Sequence, residues 1–136
     1  MSHPLPSHHF VVEWGGTKIC FTKVRNLAMR YDVIRTNCGS KPVASDSLQQ
    51  GRQHFENFHL ERNVVAGDIE FYDWWRSEER RDIVIKLLNT NHEPVISWRV
   101  LNALPVRLSY SDLDASTSDV LIESLEIASE GISIVN

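Results

Sequence analysis

Two cysteines, six glycines and a deficit of basic residues leave this 136-residue chain without the ingredients of several common protein classes. Cys20 and Cys38 do not form a CxxC pair, and with no signal segment in view they are expected to stay reduced and structural. Lys and Arg number 14 against 18 Asp and Glu, for a net charge of −4. That balance argues against generic phosphate-backbone binding, which wants a basic face, so no specific nucleic-acid partner is expected. No apolar run reaches the roughly 18 residues of a membrane-spanning helix, and no membrane anchor is expected. The opening MSHPLPSHHF has neither the basic region nor the apolar stretch of a signal peptide, so export by the general secretory route is not expected.

Catalytic and metal motifs are missing too. The histidines, His3, His8, His9, His54, His59 and His92, sit in no HExxH or CxxC context. GGTK at Gly15–Lys18 lacks the GxxxxGK[ST] spacing of a phosphate loop and reads as a glycine turn. There is no GxSxG elbow. Cys20 falls inside an expected strand, a poor setting for a reactive thiolate. Glu123 and Glu126 point to opposite faces of their strand and cannot form a carboxylate pair from it alone. The expectation is no enzyme, no metal and no cofactor. An enzyme built on His54, His59 and a nearby carboxylate is the weakest reading, because no base–nucleophile pair is positioned.

What is present is 42% apolar residues, enough for one folded domain over residues 1–136. Most of them alternate with polar ones, the mark of half-buried antiparallel strands. Strands are expected at His8–Trp14, Thr17–Val24, Ala28–Arg35, Phe55–Arg62, Ile83–Leu88, Val95–Leu101, Val106–Tyr110 and Val120–Ala128, with a short ISIV at the end. NTNHEP reads as the turn of a hairpin. TNCGSKPVASDSLQQGRQ, Thr36–Gln53, reads as a long loop, and long loops in compact domains are often functional. Over Gly67–Glu79 the period changes to that of a helix, with Asp68 as N-cap and Phe71, Trp74 and Trp75 on one face. The whole is mainly β: a sandwich or small barrel with one flanking helix. One residue is out of place. Glu123 shares strand parity with Leu121, Leu125 and Ile127, so it needs a cation, with Arg99 and Arg107 as first candidates.

Four stretches taken together carry a family resemblance: FVVEWGGTKICFTKV, GDIEFYDWWR, RRDIVIKLLNTNHEPVISWRVLNALPVRLSYSDLDA and LIESLEIASEG. In this order and spacing the chain resembles the tail-tube proteins of contractile injection systems, as in contractile phage tails, R-type pyocins, the antifeeding prophage and Photorhabdus virulence cassettes. The resemblance implies two packed antiparallel sheets with a flanking helix. It also implies six-subunit rings that stack into a hollow tube inside a contractile sheath. The implied partners are identical subunits, neighbouring tube rings, the baseplate spike or hub, sheath proteins and cargo in the lumen. The implied setting is cytoplasmic assembly in a bacterial producer, within a phage tail-like particle that can be released outside it.

The chain departs from the family pattern in places. Main tube subunits usually read LPG and a Lys-Tyr pair in the central loop, then a Leu-Lys-Arg-Gly strand end; here the region is SDSLQQGRQHFENFHLERNV. The usual Gly before the second-strand Phe is Cys20, NAWP is NALP, and AHEG is ASEG without its His. Two roles stay open, a main-tube ring and the initiator ring on the baseplate spike, and the rewritten loop favours the initiator. The alternative from another class is a small monomeric binding module using loop 36–53. Ser40, Lys41, Asp46, Gln49, Arg52 and Glu123 are the candidate subunit or ring contacts. Trp14, Phe21, Phe71, Trp74, Trp75 and Trp98 are the expected core framework.

Overall fold

The computed structural model describes residues 4–14, 17–19, 21–37 and 46–135. Ten strands and one helix follow in the order β1 (Phe10–Trp14), β2 (Thr17–Ile19), β3 (Lys23–Arg25), β4 (Met29–Asn37), β5 (Asp46–Phe55), β6 (Phe58–Asn63), α1 (Glu70–Ser77), β7 (Arg81–Leu88), β8 (Pro94–Tyr110), β9 (Ile122–Ala128) and β10 (Gly131–Val135). All strand pairs are antiparallel. One sheet runs β2-β1-β7 to the first half of β8, which β10 flanks on its other side; the second runs from the last half of β8 through β9 and β6 to β3. Their inner faces meet in one core of Val12, Trp14, Ile83, Ile85, Val100 and Ile132 against Phe58, Leu60, Leu125 and Ile127. The fold is therefore mainly β, two packed antiparallel sheets with a flanking helix.

β8 is the hinge of this architecture. Alternation broken by NALP reads as two strands, yet one 17-residue strand serves both sheets. Asn102 bends it with φ 50°, a left-handed conformation that Asn tolerates better than most side chains. Asp82 Oδ1 accepts the Asn102 N–H at 3.0 Å, and Asn102 Nδ2 donates to Glu130 Oε2 at 2.7 Å. The register shifts again between Pro105 and Arg107, where a residue without an N–H is tolerated because the ladder is already interrupted. WRVLNALP is thus the bend that folds one sheet over another.

Three expectations need correction. Thr17–Val24 is two strands on different sheets, β2 paired to β1 and β3 paired to β6, separated at Phe21–Thr22. The helix is shorter, and Asp68 is not its N-cap: Ile69 holds that position with no side-chain cap bond. Asp68 instead takes the Glu70 N–H at 3.2 Å and binds Arg62. The third concerns Thr36–Gln53. Residues 46–53 are not loop but most of β5, paired to β4 from Met29↔Phe55 to Asn37↔Asp46. The strand was hidden because this two-stranded sheet pairs with no other strand among the described residues. A strand exposed on both faces has no need of apolar alternation.

α1 packs on the core by Phe71 and Trp74, which are buried. Trp14 makes edge contacts with Trp74 at 4.7 Å, and Phe21 stacks on Phe71 at 5.4 Å between centroids. Trp74 Nε1 donates to the Glu79 carbonyl at 2.6 Å, closing the end of the helix. Trp98 is partly buried against the same core. Trp75 does not join it: it is 42% exposed and stacks on Tyr72. Adjacent helical residues are about 100° apart around the axis, so burying Trp74 turns Trp75 outward.

Candidate assembly surface

The feature of the surface that most needs a partner is the arm made by β4 and β5. Met29, Tyr31, Val33 and Leu48 share one of its faces and are 41%, 46%, 63% and 62% exposed. Four large apolar side chains on a projecting two-stranded ribbon are more than the scatter of single apolar residues found on any surface. The ribbon is shaped by a bulge at Gly51 and Arg52, opposite Asp32. A Cβ at Gly51 would lie 3.0 Å from Ile34 Cγ1 and 3.1 Å from the Asp32 carbonyl oxygen. A side chain there would require Ile34 and the Asp32 backbone to give way by a few tenths of an ångström.

Ion pairs brace the arm where it leaves the body. Arg30 donates to Glu56 at 2.6 Å and to Asp32 at 2.9 Å, and His54 Nε2 lies 2.9 Å from the other Asp32 oxygen. The His54 contact, with Arg30 behind it, holds the Asp32 carboxyl below the usual carboxylate range. The Glu56 and Asp32 bonds raise Arg30 further above its already high value. On the body, Glu126 is also held low, first by the Asn57 amide at 3.0 Å and then by the charge of His59, whose Nε2 is 3.2 Å away. His54 and His59 thus pair with separate carboxylates on separate sheets, and do not come together as one site.

Of the candidate contacts, Ser40 and Lys41 lie outside the described residues, as do Cys20 and Cys38. Asp46 begins β5, while Gln49 and Arg52 are exposed along it. Glu123 does not belong to the surface at all. It is 3% exposed, and its partner is neither Arg99 nor Arg107 but Arg62, itself 6% exposed. Arg62 Nε donates to Glu123 Oε1 at 2.5 Å, and both terminal nitrogens donate to Asp68 at 3.1 and 3.2 Å. Its guanidinium also lies over Phe71, 4.2 Å from the ring centroid. The signal for this partner was in the sequence: Arg62 has the parity of Phe58 and Leu60 on the buried face of β6.

Two other stretches of surface are open. β10 pairs only with β8 among the described residues, and Ile134 and Val135 near its end are about half exposed. The connection from Ser111 to Val120 is exposed throughout, with Leu113 at 86%. Sheets with open strand edges and an apolar arm offer surfaces for other chains to cover.

That is the class of an assembly subunit, and comparison with known proteins names the family. Residues 6–133 match the T4-like virus tail tube protein gp19 family, and the chain belongs to it. It is similar, at 29% identity and a TM-score of 0.89, to a chain in the PVC sheath-tube complex of an extracellular contractile injection system, covering 98% of this chain and 92% of that one. A chain in the six-fold symmetrised baseplate of the anti-feeding prophage is 28% identical with a TM-score of 0.88, covering 100% and 98%. One in the tube-terminating cap of the same prophage is 25% identical with a TM-score of 0.92, covering 100% and 93%. No curated protein matches the chain in sequence. The protein is a structural tail-tube component, as the four sequence stretches imply.

Proposed function

We propose that the protein forms six-membered rings in the inner tube of a contractile injection particle, and that the β4–β5 arm is its contact with the next layer. The observation that carries this reading is the arm itself, a ribbon with exposed Tyr31, Val33 and Leu48 on a subunit of a tube-forming family. Ring closure calls for a heterologous contact, one patch on each subunit meeting a different patch on its neighbour. The free edge of β10 is suited to it, since pairing with a neighbour's strand would satisfy its exposed N–H and C=O groups. Similarity to chains from a sheath-tube complex and from a six-fold baseplate supports neighbouring rings, sheath and baseplate components as partners.

The finer reading is the initiator ring. DSLQQGRQ, the first part of β5, is mostly polar where main-tube relatives carry LPG and a Lys-Tyr pair, so its partner differs from an identical ring. Electron cryomicroscopy of the particle, with the chain tagged at its C-terminus, tests both levels. One six-fold ring at the spike end is the expected result. Density along the whole tube would replace the initiator by a main-tube role. Absence of the chain from the tube, with monomers alone in solution, would overturn the assembly reading in favour of a monomeric binding module.

A further inference from the structure

Two histidines 83 positions apart face each other where the start of β1 meets the β7–β8 turn. Each is fixed by its backbone. The His9 carbonyl accepts the Leu88 N–H at 2.8 Å, tying the chain ahead of β1 to the end of β7. His92 sits in the turn at φ 61°, its N–H donating to the Asn89 carbonyl at 3.0 Å. The Asn89 side chain takes the N–H groups of Asn91 and Glu93 at 2.9 and 3.0 Å, so the turn is bonded from inside. The backbone on both sides of the pair is therefore held independently of the rings.

Between them, His9 Nε2 and His92 Nδ1 are 3.1 Å apart, the ring planes are 88° to one another and the centroids are 4.6 Å apart. Two imidazoles sharing a head-on N–H···N bond of this length would have centroids about 5.4 Å apart, because each ring extends back along the N···N line. Rings that instead aim both nitrogens at one point about 2.0–2.1 Å from each would have centroids about 4.8 Å apart. The observed 4.6 Å excludes the head-on bond and lies near the value for convergence, so both nitrogens border one gap. The angle at the common point is then about 95–102°, between the octahedral and tetrahedral values.

We propose that His9 and His92 form a two-imidazole site for a divalent transition metal of the zinc class, with water in the remaining positions. Imidazole is the ligand type such ions take, and a neutral imidazole has one nitrogen free to bind. No group of three or more His, Cys, Asp or Glu among the described residues is placed to hold a metal, so the site is open and its affinity micromolar rather than that of a closed structural cage. A bound ion clips the start of β1 to the β7–β8 turn and stabilises the subunit by mass action.

The test is Zn²⁺ titration of the full chain by calorimetry, in a His3→Gln, His8→Gln background that removes the neighbouring histidines. One Zn²⁺ per chain with micromolar Kd is expected, together with a rise in Tm. His9→Gln should weaken binding by on the order of tenfold or more. His92→Asn, which keeps a side chain at ease in the left-handed turn, should do the same. Absence of saturable Zn²⁺ binding by the background protein would overturn the site. So would unchanged affinity in the His9→Gln, His92→Asn double variant.

Discussion

Arg62 and Glu123 form a buried ion pair across β6 and β9, at opposing positions in the register and 2.5 Å apart. Asp68 and the Phe71 ring complete the surroundings of the guanidinium. One arginine thus joins two strands to the segment that enters α1. Removing one partner leaves an uncompensated buried charge, which costs about 3–5 kcal/mol. Arg62→Met, stranding Glu123, and Glu123→Gln, leaving Arg62 with Asp68 as its close carboxylate, should both lower the urea midpoint, and Arg62→Met should cost more because Glu123 and Asp68 both lose their partner. Combining Arg62→Met with Glu123→Leu should recover much of the loss. Full stability of Glu123→Gln in urea would show that Asp68 alone satisfies the arginine.

The tryptophan pair on α1 separates packing from exposure. Trp74→Ala empties a site bordered by Trp14 and Arg81 and should cost about 3–5 kcal/mol. Trp75→Ala, at the surface, should stay within about 0.5 kcal/mol of wild type. Thermal unfolding of both variants checks the contrast, and equal losses would return Trp75 to the core.

This pair also marks how far the sequence could be read. Spacing put Phe71, Trp74 and Trp75 on one stripe, but an eight-residue helix buries a narrower arc than that. β6 and β9 were legible because their buried faces alternate without a break, and the same parity made Glu123 conspicuous and could have named Arg62. β5 was not legible. β4 beside it alternates and was expected as a strand, but β5 itself, DSLQQGRQHF, carries few apolar residues to alternate, and its Gly and Ser imitate a loop. The division of β8 failed for a related reason: Asn102 and Pro105 are turn residues by habit, and only the neighbouring sheets make them a bend. Of the assembly surface, the alternation of Met29, Tyr31 and Val33 was legible, but it read as a half-buried strand, and the structure shows that face exposed.

Acid should loosen the body through Glu126. Its folded-state pKa is lowered, by the Asn57 amide first and by His59 after it. The unfolded chain therefore binds more protons in the acid range, and stability rises with pH there. The contribution is fully present above the ordinary carboxylate value and is lost as pH falls through the depressed one. Urea midpoints at about pH 6 and about pH 3 should differ less in Glu126→Gln than in wild type. An unchanged difference would mean that other carboxylates, Asp32 among them, carry the slope.

Gly51 tests whether the arm is a separate unit of stability. Gly51→Ala places a methyl group 3.0 Å from Ile34 and 3.1 Å from a backbone oxygen that cannot move alone. Overpacking of this kind costs about 1–3 kcal/mol. Among the described residues the arm pairs with no other strand, so the cost should appear as local opening rather than global unfolding. Hydrogen exchange should quicken across β4 and β5 while β6 and β9 keep their protection. Uniform acceleration through all four strands would make the arm part of the core's cooperative unit.

The arm's apolar face carries the last prediction. Val33 pairs with Gln50, and Arg35 with Leu48, so Val33 and Leu48 are diagonal neighbours on one face. Their exposure means that a charge there costs the isolated subunit little, within about 0.5 kcal/mol. In an assembled tube the same charge would have to be desolvated against the adjoining layer without a partner, which is far more costly. Val33→Asp and Leu48→Asp should therefore give folded subunits, with wild-type Tm, that no longer dock or stack. Gln49→Asp, on the opposite face, should dock normally. Negative-stain microscopy of assemblies formed with each variant gives the result, and hydrogen exchange of wild-type subunits before and after assembly gives an independent one, since a docking face gains amide protection. Normal stacking by both charged variants, with unchanged protection of β4 and β5, would remove the arm from the interface and leave ring contacts to the β10 edge.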